Sequence, residues 1–511
     1  MLITNLFNKK PSYLVIIFSS ILGSITSLSL PPNNIIFFNF FTFPLIFLLL
    51  EKNQTEKKIT FLIGWSFGFG YFVSNLYWIT NSLTFIEEFK FLIPMAIILI
   101  PTILSIFYGI IAIVISFLKI ERNLSSLLLF AAIFSIFEYF RGILFSGFPW
   151  NLHVFSLTEF LHQIQILSII GTYSLNLLCI TFFLFPLILK FQSSARLKIL
   201  ITVLFGIIVC TNFVYGKLRI DSFENIIETK LKTKFKIISP NINLKRFLDN
   251  EDPIIRISDV IKLSGPEKDN NTVFIFPEGM LSGFDLENLK NINFIFKENF
   301  SKKHNLIFGV NLVEDENVFN TLIVFDSDFK PLDIYRKNKL VPFGEYLPLE
   351  TILSKLGFKK ITQGYKSFTN SKERKIIKIG DLSLLPLICY EIIYTGSLRK
   401  NNKDYDVIVN ISEDGWFGDT IGPEQHFKHS IFRSIEEGKN LLRSSNNGIS
   451  AHIDPTGIVV EKVESTKSGV IEINSLKFIE KTIFSKYGNK IFFYFIIIYI
   501  TLIFFLKKKG Q

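Results

Sequence analysis

Cysteine is scarce in this chain, with 3 in 511 residues. Cys179 and Cys210 stand inside apolar segments, and Cys389 is alone in the polar half. A disulfide framework and a multi-cysteine zinc site are thereby excluded. Histidine is almost as sparse, at 6, and no HExxH spacing occurs. No metal is expected, and no motif calls for a cofactor. Charged residues make up only 19%, although the net charge is +11. Many basic residues flank apolar runs, as Lys9-Lys10, Lys57-Lys58 and Lys507-Lys508-Lys509 do. That is the pattern of membrane topology determinants, not of a groove-lining stripe, so no nucleic-acid partner is expected.

What the chain has in abundance is apolar side chains. They form 49% of the sequence, with 57 Phe, and the mean hydropathy is +0.38. A soluble domain of this size rarely runs so apolar, and the length allows two or three units. Apolar runs recur near 13–30, 33–50, 59–80, 91–118, 126–145, 165–189 and 198–215. A helix needs about 20 apolar residues to cross the hydrocarbon core. The second run contains Pro44, and the fifth carries Glu138 and Arg141, which are costly in lipid. The first run lacks a small-x-small cleavage site and more spans follow it, so it reads as a helix rather than a signal peptide. The sequence thus predicts a transmembrane bundle of about seven helices over 1–217. A last span is expected at 488–507.

Between them the character changes. Charged residues become frequent and apolar runs shorten to strand length, as at 235–238, 272–276, 305–310 and 406–410. Helical stretches at 284–300 and 426–442 alternate with some of them. This predicts an α/β domain over 233–475. With the N-terminus in the cytoplasm, the loops at 51–58, 119–123 and 190–198 also fall inside, and they are rich in Lys and Arg. The opposite loops near 81–90 and 146–164 contain only Lys90. Seven crossings then place the α/β domain outside the cytoplasm. Trp78 and Trp150 read as interfacial anchors, and Tyr346–Phe358 reads equally as an amphipathic arm that touches lipid or as ordinary core packing.

Three segments carry chemistry. In Leu384-Leu385-Pro386-Leu387-Ile388-Cys389-Tyr390-Glu391 a cysteine ends an apolar strand, where a strand-to-helix elbow exposes a nucleophile. By itself it reads as readily as a small buried hydrophobe. In Phe274-Ile275-Phe276-Pro277-Glu278-Gly279 a carboxylate follows a strand directly. Such a group at the sheet's end suits a general base, if burial lifts its pKa toward neutrality. In Tyr335-Arg336-Lys337-Asn338-Lys339-Leu340-Val341-Pro342-Phe343-Gly344-Glu345-Tyr346 a basic turn offers a fixed positive charge for an oxyanion or thiolate.

Taken in order, the three segments resemble the nitrilase, or carbon-nitrogen hydrolase, superfamily. Its Glu-Lys-Cys triad maps onto Glu278, Lys337 and Cys389; the Tyr-x-Lys spacing selects Lys337 over Lys339. The resemblance implies a four-layer α-β-β-α sandwich. The polytopic α-helical bundle around it narrows the likeness to the apolipoprotein N-acyltransferase family. Gly147-Phe148-Pro149-Trp150, Asp414-Gly415-Trp416-Phe417-Gly418, Gly422-Pro423, Gln425-His426, Arg443 and Asn447-Gly448 are similar to that family's motifs. The resemblance implies a ping-pong acyl transfer. Cys389 takes an acyl chain from a phospholipid, with phosphatidylethanolamine the expected donor. It then passes the chain to the α-amine of a diacylglyceryl-cysteine at an apolipoprotein N-terminus. Supporting roles fall to Glu345, Tyr390, Glu391 and Trp416. The implied setting is the bacterial inner membrane, in contact with membrane lipid, with a periplasmic catalytic domain and a monomeric chain. A membrane-anchored amidase acting on a small C–N substrate would share the triad, but one anchor would serve it. Three positions depart from the family pattern. Gly279-Met280 follows the Pro-Glu, Glu413 stands where Asn is usual, and Lys245-Arg246-Phe247 replaces a Lys-Trp pair.

Overall fold

The computed structural model describes residues 12–508 other than 86, 193, 248–252, 282–285, 354, 356–366 and 399–403. Two compact units emerge. One comprises Met1–Thr80, Ile86–Arg219 and Lys486–Gln511; the other comprises Asn81–Phe85 and Ile220–Ser485.

The first unit is helical. Among the described residues, 6 helices are long and apolar enough to cross a membrane: Ile36–Asn53, Lys57–Thr84, Glu87–Leu118, Leu124–Ile143, Ala195–Glu224 and Lys490–Lys508. The pair Leu167–Phe183 and Phe185–Phe191, bent by 46°, makes up to 7, and Tyr13–Ser27 is a shorter apolar helix. The sequence run at 165–189 is thus a broken helix. Gly171, at φ +72, adds a non-helical residue within it.

Small residues let two of these helices touch. A Cβ on Gly70 would lie 1.9 Å from the Ser20 carbonyl oxygen, and one on Gly23 1.9 Å from that of Phe67. The Ser19 hydroxyl donates across the same seam to the Ile63 carbonyl at 2.7 Å. Such close backbone approach is how helices associate where lipid supplies no hydrophobic drive. The costly pair is also explained. Arg141 and Glu138 are both buried and their charges meet at 2.8 Å. Arg141 also donates to the Phe148 and Asn151 carbonyls, so its guanidinium organises the turn that follows its helix. Trp78 and Trp150 are not anchors at a surface. Both are buried, with ring centroids 4.8 Å apart.

Among its described residues the second unit contains twelve strands: β1 Thr229–Ser239, β2 Thr272–Ile275, β3 His304–Glu314, β4 Asn317–Phe325, β5 Pro331–Arg336, β6 Ile377–Ile379, β7 Leu382–Ile388, β8 Val407–Glu413, β9 Asn440–Asn446, β10 Ser450–Ile453, β11 Val459–Val463 and β12 Gly469–Leu476. They form two six-stranded sheets, ordered β12-β1-β2-β3-β4-β5 and β11-β10-β9-β8-β7-β6. In the first, β1, β2 and β3 run parallel. In the second, β7, β8 and β9 do. The outer strands of both are antiparallel. The central strands β2, β8 and β9 are buried along their whole length, as parallel strands covered on both faces must be.

Helices close the outer faces. Ile257, Val260 and Ile261 of helix Pro253–Ser264 and Phe296 of Asn293–Asn299 join Phe274, Phe276, Phe308 and Phe325 in one apolar cluster. Phe276 stacks on Phe308 at 4.0 Å. Helix Gly422–Glu437 covers the second sheet. The arrangement is the four-layer α-β-β-α sandwich the sequence predicted. The helix read at 426–442 ends earlier, because Gly438 adopts a left-handed cap and its N–H bonds back to Ser434; β9 starts two residues on. Of the arm read at Tyr346–Phe358, residues 354 and 356–358 lie outside the described residues.

Gly70→Val should separate its helix pair, because a backbone carbonyl cannot move aside as a side chain can. The expected loss is about 1–3 kcal/mol or more, as for overpacking generally. A thermal melt in detergent checks it, with Gly206→Val as control, since nothing lies within 4 Å of a Cβ there. Equal melting of the two variants would contradict the packing argument.

Candidate active site

Each predicted residue sits where a strand stops. Glu278 follows β2, Lys337 follows β5 directly and Cys389 follows β7 directly. The first two come from one sheet and the cysteine from the other. The sheets therefore face each other with their strand ends converging, which is where α/β proteins build sites.

Cys389 is a non-glycine residue at φ +49. An L-residue in that region is strained, and the surroundings must enforce it. Its enforcer is Glu391, wholly buried two residues on. The Glu391 carboxylate accepts from the Ile388 N–H at 2.9 Å. It also accepts from the Tyr335 hydroxyl at 2.9 Å, the Asn338 N–H at 2.9 Å and the Lys339 N–H at 3.1 Å. One side chain thus ties the cysteine elbow to the lysine loop. Glu391 does sit in the first turn of a short helix, but that is the lesser part of its role.

Lys337 is 1% exposed. Its ammonium donates to Glu345 Oε1 at 2.9 Å and lies 3.5 Å from Glu278 Oε1. Asn320, in β4, donates from one amide nitrogen to Glu278 at 2.7 Å and to Glu345 at 2.6 Å. The other Glu345 oxygen accepts from the Val341 N–H at 2.8 Å. Lys339 instead places its ammonium 5.3 Å from the Tyr394 ring.

The electrostatics follow from burial. Glu278 is pushed above the ordinary glutamate value, first by burial and then by the Glu345 charge, against the pull of Lys337. The Cys389 thiol is pushed well above its usual value, chiefly by burial and by the nearby Glu278 charge. Lys337 stays firmly cationic, because Glu278 and Glu345 outweigh the effect of its burial. Burial thus opposes charge on both Cys389 and Glu278, while Lys337 carries the positive charge between the carboxyl groups.

Asp414, His426 and Arg443, which the sequence offered only as motif residues, form a second layer. Asp414, directly after β8, is held well below the carboxylate range by Arg443 and His426 despite its burial. Arg443 meets it at 2.6 Å and His426 at 2.9 Å. The Ser412 hydroxyl donates to Asp414 at 2.6 Å and also reaches the Cys389 thiol. Burial lowers the His426 pKa, against the pull of the Asp414 charge. Trp416 is half-buried, stacks on Phe247 at 5.4 Å and meets Phe85 edge-on at 5.7 Å. Tyr390 is buried, edge-on to Tyr394 at 5.5 Å. No group of three or more His, Cys, Asp or Glu that could hold a metal ion occurs among the described residues.

Known proteins can now be set beside this geometry. Residues 22–185 match the apolipoprotein N-acyltransferase N-terminal domain family, and 267–474 match the carbon-nitrogen hydrolase family. The apolipoprotein N-acyltransferase of Allorhizobium ampelinum is 31% identical over 88% of this chain and 87% of its own length. That of Rickettsia prowazekii is 32% identical over 88% and 90%. Among solved structures, Nit3 of Saccharomyces cerevisiae, a nitrilase superfamily member, covers 48% of this chain and 90% of its own, at 14% identity and a TM-score of 0.34.

Asn320→Ala should raise the Glu278 pKa further. It removes a donor that favours the carboxylate and leaves Glu278 and Glu345 to repel each other directly. Since the base form is lost as pH falls through that pKa, the acid limb of Cys389 alkylation by iodoacetamide should move to higher pH. Each lost bond to a carboxylate is worth about 1.5–3 kcal/mol. A limb that stays in place would argue against Asn320 as the bridge.

Proposed function

This chain belongs to the apolipoprotein N-acyltransferase family, and on that premise we propose that Cys389, Glu278 and Lys337 carry a two-step acyl transfer from phospholipid to apolipoprotein. The observation that supports it best is the convergence of a buried ammonium, a carboxylate of raised pKa and a strained cysteine at the ends of three strands.

In the first half-reaction the Cys389 sulfur attacks the ester carbonyl of a phospholipid, for which phosphatidylethanolamine is the candidate. Its proton passes to Glu278. The carbonyl oxygen becomes an oxyanion, held by the Lys337 ammonium and the Tyr390 N–H, in water-poor surroundings where such donors act strongly. The ester C–O bond then breaks. Glu278 returns the proton to the leaving alkoxide, and lysophospholipid departs from a Cys389 thioester. In the second half-reaction the α-amine of a diacylglyceryl-cysteine attacks the thioester. Glu278 accepts the amine proton, the C–S bond breaks, and the proton returns to sulfur. The product is an N-acylated lipoprotein. Covalent catalysis suits two bulky lipids, because only one need occupy the site at a time.

Glu345 and Glu391 position the lysine and the elbow. The half-buried Trp416 is the candidate for contact with acyl chains. A monomer is sufficient, because the whole triad comes from one chain. The bias of basic residues toward alternate loops supports a multi-pass protein of the bacterial inner membrane with its catalytic unit on the periplasmic face.

Mass spectrometry of the purified chain after incubation with phosphatidylethanolamine tests this. A hydroxylamine-labile acyl adduct is expected on Cys389 and none in Cys389→Ser. Glu278→Gln should slow adduct formation by about 10²–10⁴-fold, the usual range for a lost general base. No adduct from any phospholipid, together with hydrolysis of small amides, would replace acyl transfer with amidase activity.

A further inference from the structure

Glu413 and Arg246 are two of the positions where this sequence departs from the family pattern, and they are partners. Their side chains form an ion pair, 2% and 1% exposed respectively. The bonds around the pair lead to Glu278. The Glu413 N–H donates to Glu278 Oε2 at 3.2 Å. Arg246 Nε donates to the carbonyl of Gly279, the next residue, at 3.3 Å. Glu413 is fixed in turn by the Gly415 N–H at 2.9 Å and the Asn446 amide at 2.8 Å. Arg246 is fixed by the Ile242 and Asn243 carbonyls, each at 3.2 Å. Gly279 adopts φ +70, and a Cβ there would meet the Phe247 ring at 2.9 Å, so the loop has one way to lie.

We propose that the Arg246–Glu413 pair is a positioning brace that holds the Glu278 carboxylate at the end of β8 and keeps the surrounding field neutral while Glu278 exchanges protons. This rests on the reading of Glu278 as the general base. The geometry favours a brace over an ordinary structural pair, because its two members hold Glu278 at two separate points. One bonds the carboxylate through its own backbone; the other bonds the following peptide. Charge matters as well as contact. The other ionisable groups facing Glu278 are Lys337, Glu345 and Cys389. Glu413 adds a like charge there, and Arg246 is the countercharge paired with it.

The two halves of the brace therefore make opposite predictions. Arg246→Met leaves the Glu413 charge uncompensated, disfavours the carboxylate of Glu278 and moves the acid limb to higher pH. Glu413→Gln leaves the Arg246 cation uncompensated, favours that carboxylate and moves the limb to lower pH. Each shift is expected at roughly one pH unit, a tenfold change in proton concentration. The double variant Arg246→Met/Glu413→Gln should return the midpoint to its wild-type position at a reduced rate. Arg246→Lys keeps the charge but lacks the planar fork, so it should slow the reaction without moving the midpoint.

The measurement is iodoacetamide alkylation of Cys389 in the full chain in detergent, followed by mass spectrometry across pH. An unfolded fraction would alkylate as an ordinary free thiol, so each midpoint is read on variant protein that a thermal melt shows to be folded across the pH range. Shifts of opposite sign establish the brace. No shift, or shifts of one sign, in an acid limb that Glu278→Gln abolishes overturns the brace alone. A wild-type limb that survives Glu278→Gln overturns the base assignment and the brace with it.

Discussion

A lysine ammonium withdrawn from water is the constraint around which the catalytic unit is arranged. Burying an uncompensated cation costs several kcal/mol, so Lys337 must have anionic partners at close range. It has two, Glu345 at 2.9 Å and Glu278 at 3.5 Å. Two carboxylates around one cation then repel each other, and the Asn320 amide between them relieves that repulsion. The lysine loop must also be fixed, or the ammonium would swing toward solvent. Glu391 fixes it through the Asn338 and Lys339 N–H groups and carries the cysteine elbow on the same carboxylate. Cys389, Glu278 and Lys337 are thus parts of one connected object. Displacing any of them displaces the hydrogen bonds of the rest.

The same burial explains why the thiol rests protonated. A thiolate beside Glu278 in a poorly solvated site would face a like charge, and Lys337 is already shared between two carboxylates. Burial therefore favours the proton on sulfur, and Glu278 is raised above its ordinary value in the same surroundings. A neutral thiol is a poor target for adventitious oxidation.

Much of this was legible because motifs mark strand ends. Pro277-Glu278, Tyr335-x-Lys337 and Cys389-Tyr390-Glu391 each follow an apolar run, and the structure gathers all three. The hydrophobic runs likewise located the helices, since their apolar length is a local property. What stayed hidden depends on distant pairing. Asn320 is one polar residue in a strand, and only the β4–β5 register brings it beside the lysine loop. Arg246 and Glu413 lie far apart in sequence, and nothing local says that one neutralises the other. Arg443 and His426 stood among the family motifs without a role, and only the fold shows them fully buried around Asp414. Trp78 and Trp150 carried an interfacial signature, yet they pack on each other, because a ring's burial is decided by its neighbours and not by its type.

Each unit meets the problem of buried charge with the same device. Arg141 pairs with Glu138 and spends its remaining donors on the Phe148 and Asn151 carbonyls. Arg246 pairs with Glu413 and does the same for Ile242, Asn243 and Gly279. In both, the carboxylate removes the net charge, and the guanidinium supplies N–H groups to loop carbonyls that no helix or sheet would satisfy. Arginine is suited to this and lysine is not. Five donors in one rigid plane can meet a carboxylate on one edge and peptide oxygens on the other, whereas an ammonium offers three donors from a single point. A turn held this way is rigid because leaving it would break an ion pair and several hydrogen bonds at once. In the catalytic unit the turn so held is the one that carries Glu278.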